Sequence, residues 1–243
     1  MAVERIRYQA GQVSANGALV YNEEIGGKRP LLLMAPNWFG VTETAIRRAA
    51  QMAGNKYIAF VADMYGDGKT CDTPPEAMEL MKAVRADRVE GRKRIVAALE
   101  TFAAEAEKRG IGDTTRKAAV GFCFGGGNVL ELARTGADLQ AAVALHGDLA
   151  TTMPAKKGDI KAAIFVLHGS KDPAVPKKDR DALEEELDGA EANWQMLMFG
   201  GRLHAFSEEE ANIPGMAEYE ARAARQSYRM VDDFITDAFE GKL

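Results

Sequence analysis

The sequence predicts an α/β fold, in which one mostly parallel and doubly wound sheet carries helices on both faces. Turn residues separate alternating strand and helix patterns along the whole chain. Several of the strand patterns are continuous apolar runs, which are typical of parallel strands buried on both sides. With 243 residues, 47% of them hydrophobic, the chain is long enough for one large domain, and we expect that domain to cover residues 1–243.

The first half of the chain is expected to contain a hairpin, two further strands and three helices. Because Asn-Gly is a strong turn signal, Ala15-Asn16-Gly17 is expected to join two hairpin strands at 4–9 and 17–22. Thr42 suits the N-cap of a helix that runs to Gly54. The other elements are expected to be strands at 30–35 and 57–61, a polar connection over 63–75, and helices at 76–84 and 88–109.

The second half is expected to alternate four strands with three helices, which brings the total to eight strands. The predicted strands lie at 117–120, 141–145, 162–167 and 193–199. The predicted helices lie at 125–135, 177–188 and 216–240, and the last of them is amphipathic.

The most informative motif lies where the fifth strand ends and a helix begins, at Gly121-Phe122-Cys123-Phe124-Gly125. It has the form of a nucleophile elbow, with cysteine in place of the usual serine. Glycine is needed beside the nucleophile because the turn is sharp and its backbone strained. The helix N-terminus directs N–H groups at the sulfur and favours the thiolate. The order of elements therefore matches an α/β-hydrolase, and the alternative is a buried cysteine beside a glycine turn.

A thiol nucleophile needs a base, and the base needs an orienting group. Only one of the three histidines, His204, follows the last predicted strand, where α/β-hydrolases carry their base. Asp172 comes just after the seventh strand and is expected to orient His204. Asp148, just after the sixth strand, is the alternative.

Acyl transfer also needs donors for the oxyanion. We expect these to be the backbone N–H groups of Phe124, directly after the nucleophile, and of Trp38, in the loop after the third strand. The Trp38 indole and Phe39 are expected to wall the pocket. His146 and His168 end strands near the site, where we expect structural roles with satisfied hydrogen bonds and, as the alternative, contact with the substrate.

The composition argues against several other function classes. The net charge is −5 and the 31 basic residues are scattered, so neither nucleic acid nor an acidic membrane is expected as a partner. No apolar run approaches ~18 residues, and the N-terminus lacks a signal-peptide core. No His, Cys or carboxylate cluster has metal-ligand spacing. Two cysteines form no disulfide framework, which favours the reducing cytoplasm.

Five segments together resemble the dienelactone hydrolase family, whose members are carboxymethylenebutenolidase-like α/β-hydrolases. The resemblance extends along nearly the whole chain. It implies a triad of Cys123, Asp172 and His204, no metal or organic cofactor, and hydrolysis of an ester or lactone, with a small-molecule substrate. The segments are Asn37-Trp38-Phe39-Gly40, Ala62-Asp63-Met64-Tyr65-Gly66, Gly121-Phe122-Cys123-Phe124-Gly125-Gly126, His168-Gly169-Ser170-Lys171-Asp172-Pro173 and His204-Ala205-Phe206.

The chain departs from the best-known members of that family at two positions. Those members carry a glutamate, which helps to activate the thiol, where this chain has Asn37. They carry an arginine, which binds the substrate carboxylate, where this chain has Glu208. We expect Asn37, Phe39 and His146 at the substrate site, with Arg202 as a replacement for the missing arginine. A related lactone or small ester then becomes as suitable a substrate as dienelactone itself.

Three other functions compete with this interpretation. The first is a general carboxylesterase or thioesterase without a preference for lactones. The second is a thiol redox protein in which Cys71 resolves an oxidised Cys123. The third is a catalytically silent binding module, since a fold does not fix a function. The sequence does not indicate the oligomeric state.

Overall fold

The computed structural model describes all residues, 1–243, and contains ten strands and six helices. The strands are β1 (Ala2–Ala10), β2 (Val13–Tyr21), β3 (Arg29–Ala35), β4 (Ile58–Val61), β5 (Gly112–Phe122), β6 (Ala141–Leu145), β7 (Ala163–Gly169), β8 (Trp194–Phe199), β9 (Asn212–Ile213) and β10 (Ala217–Glu218). The helices are α1 (Glu43–Ala53), α2 (Pro74–Ala86), α3 (Arg88–Lys108), α4 (Phe124–Arg134), α5 (Lys177–Gly189) and α6 (Ala221–Phe239).

The first eight strands form one sheet in the order β1-β2-β4-β3-β5-β6-β7-β8, while β9 and β10 form a separate two-stranded ribbon. β2 is antiparallel to both β1 and β4, whereas the pairs β3–β4, β6–β7 and β7–β8 are parallel. The predicted α/β fold is thereby confirmed. The elbow motif follows β5, the fifth strand in the chain, as predicted.

Contacts between α-carbons group the chain into two compact units, Met1–Ala119 and Val120–Leu243. The boundary between them falls within β5, just before the elbow motif. The Cys123 motif and all three histidines belong to the second unit, and the loop that follows β3 belongs to the first.

The helix α1 begins and ends where the sequence predicts. The Thr42 hydroxyl accepts a hydrogen bond from the Ala45 N–H at 3.2 Å, which satisfies one of the first amides of the helix. Gly54 follows the last helical residue with a φ of 48°, a conformation that favours glycine. In the same unit, the buried rings of Phe60 and Phe102 stack at 5.5 Å, so that α3 packs on β4.

The predicted hairpin turn at Ala15-Asn16-Gly17 is wrong. Ala10 pairs with Val13, so the turn is Gly11-Gln12, and Gly11 has a φ of 59°. Asn16 and Gly17 lie inside β2 instead, because tertiary contacts outweigh the local turn signal. The Asn16 N–H donates to the Asp63 carboxylate at 2.9 Å. A side chain at position 17 would overlap the Phe60 ring, so glycine serves a close approach here.

Two other boundaries differ from the prediction. β5 begins at Gly112 rather than 117, because its first half is polar and only half-buried and so lacks an apolar run. The last helix begins at Ala221 rather than 216, because residues 212–218 form the β9–β10 ribbon.

Candidate active site

The backbone at Cys123 has the strained geometry of an elbow. Its φ is 53° and its ψ is −119°, in a region that non-glycine residues rarely occupy. Such a conformation costs roughly 1–3 kcal/mol and persists only where the surroundings enforce it. A methyl group on Gly121 would overlap the Gly125 carbonyl, so the motif requires glycine two residues before the cysteine. The local shape expected from the sequence is therefore present.

The helix behind the elbow is held by close packing. All residues of α4 are buried, and a Cβ at Gly126 would lie 2.7 Å from the Cα of Gly147. Phe124 is the first residue of α4, so its N–H lies at the positive end of the helix dipole. Cys123 itself is partly exposed, as attack on a substrate requires.

His204 and Asp172 form a short hydrogen bond. His204 Nδ1 lies 2.7 Å from Asp172 Oδ2, and the Asp172 side chain is fully buried. The other carboxylate oxygen of Asp172 accepts the Ala174 N–H at 2.8 Å. This arrangement fixes the orientation of the imidazole and directs its Nε2 away from the carboxylate.

The β9–β10 ribbon, which the sequence did not reveal, holds the backbone of His204. The His204 N–H donates to the Met216 carbonyl at 3.1 Å, and its carbonyl accepts the Glu218 N–H at 3.1 Å. The residues that hold His204 are thus 12 and 14 positions further along the chain. Met216 lies between β9 and β10, Glu218 lies in β10, and each of these strands has only two residues. Nothing in their local pattern marks them.

The pKa of His204 shows how its neighbours act on it. Burial by itself lowers this pKa, but the Cys123 charge and hydrogen bonds to Asp172 and Cys123 act in the opposite direction and prevail. The pKa of His204 is therefore raised well above its usual value. An imidazolium paired with a thiolate is the arrangement that activates a cysteine nucleophile.

The structure distinguishes the two candidate acids. The carboxylate that hydrogen-bonds His204 belongs to Asp172. Asp148 meets the elbow through its backbone, since its N–H donates to the Cys123 carbonyl at 3.3 Å. The geometry therefore favours Asp172 as the residue that orients the base.

His146 lies beneath the elbow and is fully buried. The Cys123 N–H donates to its Nδ1 at 3.2 Å, and its Nε2 lies 2.7 Å from the Ser207 hydroxyl. These contacts argue against the predicted contact of His146 with the substrate, because no part of the side chain is exposed and protein atoms engage both ring nitrogens.

His168 is equally buried, but neither of its ring nitrogens has a hydrogen-bond partner, so the expectation of satisfied bonds is wrong here. Its Nε2 lies 3.5 Å from Asp172 Oδ2, at the limit of a hydrogen bond. Burial lowers the pKa of His168 to about 4, against the opposing charge of Asp172. His168 is therefore neutral beside Asp172 at physiological pH.

Backbone strain is concentrated at this site. Five non-glycine residues have a positive φ, and three of them are Cys123, His146 and Ala205. Ala205 directly follows His204, and its φ is 54°. Strained residues cluster where the surrounding structure over-determines a geometry that function requires.

Arg202 and Glu208, the positions considered for a substrate carboxylate, have protein contacts of their own. The Arg202 guanidinium lies 3.7 Å from the Glu220 carboxylate, and its Nε donates to the Gly200 carbonyl at 3.4 Å. Glu208 is buried, and its Oε1 lies 3.9 Å from His146 Nδ1. Arg202 thus lies beside a carboxylate, and Glu208 is itself a buried carboxylate, so neither position offers an unpaired cation to a substrate.

The loop after β3, in the first unit, is held by contacts with its own residues and with Tyr65 of the same unit. The Asn37 side chain accepts the Phe39 N–H at 3.1 Å, and the Trp38 carbonyl accepts the Tyr65 hydroxyl at 2.7 Å. The Trp38 and Phe39 rings meet edge to face at 5.5 Å. These contacts fix the loop within the first unit, while the roles of its residues toward Cys123 stay predictions.

Cys71 is a buried free thiol. Its N–H donates to the Phe39 carbonyl at 3.1 Å. Burial, together with the charges of Glu76 and Asp72, raises the pKa of the Cys71 thiol. A thiol with a raised pKa is a weak nucleophile, which argues against Cys71 as a resolving cysteine.

Two further findings concern metals and membranes. No group of three or more His, Cys, Asp or Glu side chains is arranged to hold a metal ion. None of the six helices combines the length and the apolar character needed to cross a membrane.

Comparison with known proteins identifies the family. The family model for the dienelactone hydrolase family matches residues 16–239. A solved structure named m3DLH is 34% identical, with 98% of each chain covered and a TM-score of 0.90. A dienelactone hydrolase-like promiscuous phosphotriesterase, P91, from metagenomic libraries, is 32% identical over 98% of each chain, with a TM-score of 0.89. A Yersinia pestis protein named "Putative carboxymethylenebutenolidase" is 26% identical over 86% of this chain and 79% of its own. The chain therefore belongs to the dienelactone hydrolase family, and it is a hydrolase.

Proposed function

We propose that the protein hydrolyses lactones or small carboxylic esters through a thioester formed on Cys123. The observation that carries this proposal is the 2.7 Å bond between His204 Nδ1 and Asp172 Oδ2, on an imidazole whose pKa the Cys123 sulfur raises. A strained cysteine, a base and a buried orienting carboxylate are the parts of a nucleophilic triad. Family membership supports the same class of reaction.

The proposed reaction has two steps. The Cys123 thiolate attacks the carbonyl carbon, and the backbone N–H groups of Phe124 and Trp38 stabilise the oxyanion. The imidazolium of His204 protonates the departing alkoxide or enolate, which leaves a thioester. His204 then takes a proton from water, whose oxygen attacks the thioester and releases the acid. Asp172 stabilises the imidazolium at both stages.

The preferred substrate in this proposal is neutral. Glu208 is a carboxylate where the best-known members have a cation, and the guanidinium of Arg202 lies beside Glu220. A lactone bearing a carboxylate would therefore lack a dedicated cationic partner. Neutral lactones and small esters should react at least as well as anionic dienelactone. A thiolate nucleophile also requires a reducing compartment, for which we propose the cytoplasm.

The experiment that tests the proposal compares the two cysteines. Cys123→Ala should abolish hydrolysis of a neutral nitrophenyl ester, while Cys71→Ala, the matched control, should retain most of it. Mass spectrometry of wild-type protein quenched during turnover should find the acyl group on the peptide that contains Cys123. Full activity in Cys123→Ala, or equal loss in both variants, would overturn the assignment.

A second candidate activity is hydrolysis of phosphotriesters. It is favoured by the 32% identity to P91, which is described as a promiscuous phosphotriesterase. The same thiolate would attack phosphorus and displace the aryloxide, which the His204 imidazolium protonates, while the same N–H donors stabilise the phosphoryl oxygen. Water that gives a proton to His204 would then cleave the sulfur–phosphorus bond, release the dialkyl phosphate and restore the thiolate. Turnover of a neutral aryl dialkyl phosphate that disappears in Cys123→Ala would support this activity. Turnover that persists in that variant would exclude Cys123 as its nucleophile.

A further inference from the structure

We propose that His146 is a positioning residue for the nucleophile, which holds the Cys123 backbone through one ring nitrogen and is itself held by Ser207 through the other. The inference rests on the proposed function in one respect, namely that Cys123 is the nucleophile. It assigns to His146 no contact with the substrate.

The hydrogen bonds determine which nitrogen of His146 carries the proton. Because the Cys123 N–H donates to Nδ1 at 3.2 Å, Nδ1 has to be unprotonated. The proton then lies on Nε2, where it can be donated to the Ser207 hydroxyl at 2.7 Å. Glu208 Oε1 is 3.9 Å from Nδ1, too far for a hydrogen bond. A neutral imidazole with this tautomer thus connects Ser207 to the elbow.

The elbow requires such support because two strained residues face each other there. Cys123 has a φ of 53° and His146 a φ of 38°. The Cys123 N–H also donates to the Leu145 carbonyl at 3.1 Å, so a strand-type bond and the imidazole share one donor. Loss of the imidazole bond would leave this N–H to the Leu145 carbonyl alone, so the peptide before Cys123 would turn toward that carbonyl and the sulfur would shift relative to His204.

The ring of His146 also supports the base. Its centroid lies 5.4 Å from that of His204, with the two rings inclined at 68°. The Phe206 ring packs edge to face on the His146 ring, with 5.3 Å between their centroids. His146 therefore contacts both reacting residues from the buried side.

The far end of this chain of hydrogen bonds is anchored in α6. Ser207 is buried, and its carbonyl accepts the Tyr228 hydroxyl at 3.1 Å. Ser207 therefore has little freedom to follow a displaced imidazole. Rigid support on one side and a strained backbone on the other are what a positioning residue needs.

Three substitutions of His146 distinguish the role of Nδ1 from the role of Nε2. His146→Asn places an amide oxygen near the position of Nδ1, so it can still accept from Cys123. His146→Gln reaches only the position of Nε2, and His146→Phe fills the space with neither group. Ser207→Ala removes the distal partner. Its matched control is Ser227→Ala, at a buried hydroxyl on α6 that has no hydrogen-bond partner.

Each variant is assayed for kcat and KM on a neutral ester, and separately for the rate at which iodoacetamide alkylates Cys123. We expect His146→Phe and His146→Gln to lower kcat about tenfold with little change in KM, and to slow alkylation. His146→Asn should recover kcat to within about threefold of the wild type, and Ser227→Ala should leave both rates unchanged. Melting curves establish that each variant is folded.

Alkylation needs no turnover, so it separates this inference from the proposed function. Wild-type protein that hydrolyses no ester, but shows slow alkylation in His146→Gln and normal alkylation in His146→Asn, would support the positioning role and contradict the proposed function. Should the Phe variant fail to fold, the Asn and Gln variants carry the comparison. Equal kcat and equal alkylation rates for the Asn and Gln variants would overturn the inference.

Discussion

Replacement of Asp172 by Asn keeps the shape of the side chain and removes the charge that faces His204. The bond it alters is 2.7 Å long and lies on a fully buried side chain. A charge-assisted hydrogen bond contributes about 1.5–3 kcal/mol, so its loss alone should lower kcat roughly 10–150-fold. The pKa of His204 should also fall, because Asp172 is one of the groups that raise it.

A second effect of Asp172→Asn makes the expected loss larger. Asp172 Oδ1 accepts the Ala174 N–H at 2.8 Å, so the Asn carbonyl should keep that place and turn its NH₂ group toward His204. The NH₂ group would donate to His204 Nδ1, so the imidazole proton would lie on Nε2. A protonated Nε2 cannot accept a proton from Cys123. A total loss on the order of 10⁴ in kcat follows, by analogy with amidation of a triad aspartate in a serine protease.

The assay is steady-state hydrolysis of a neutral nitrophenyl ester, with Asp148→Asn as the matched control. Asp148→Asn should reduce kcat far less, because the described contact of Asp148 with the elbow uses its backbone N–H. A loss of less than about tenfold in Asp172→Asn would refute the reasoning, since it falls below the effect of the hydrogen bond alone. A reversed ranking of the two variants would transfer the role to Asp148.

Other substitutions probe the turn, the buried histidine and the arginine. Gly121→Ala should yield little folded protein, because its methyl group would overlap a carbonyl at the start of α4; a wild-type melting temperature would contradict this. Burial lowers the pKa of His168 from 6.5 to about 4, so the unfolded state binds more protons than the folded state between these pH values. Acidification across this window should therefore reduce the free energy of unfolding by up to about 3 kcal/mol. The raised pKa of His204 acts in the other direction, since its contribution is complete below 6.5 and is lost only as the pH rises. His168→Leu should remove this loss of unfolding free energy between pH 6.5 and about 4, as measured by urea denaturation. An unchanged dependence of the unfolding free energy on pH in that variant would contradict the prediction. Arg202→Ala should alter kcat/KM for an anionic lactone by less than about threefold, because Glu220 already offsets the charge; a large loss confined to the anion would identify Arg202 as the carboxylate-binding residue.

Local sequence was sufficient where local sterics decide the structure. The Gly121-x-Cys123 spacing predicts the elbow because any side chain at position 121 meets the backbone of the next turn. The continuous apolar runs at 141–145 and 163–167 predict buried parallel strands because both faces have to be covered. By contrast, Asn16-Gly17 failed as a turn signal because Phe60 and Asp63, more than 40 residues away, hold it in β2.

The histidines mark the limit of what the sequence by itself determined. His146 and His168 each end an apolar strand and precede a glycine, so their local patterns are alike. Only the tertiary structure places His146 beneath the elbow with a hydrogen-bond partner at each ring nitrogen, and leaves His168 without one. The reason is physical: strand and turn preferences act over a few residues, whereas Ser207, which satisfies His146, lies 61 positions along the chain. The sequence predicts an order of nucleophile, acid and base, but the partners that orient these residues depend on which distant segments fold together.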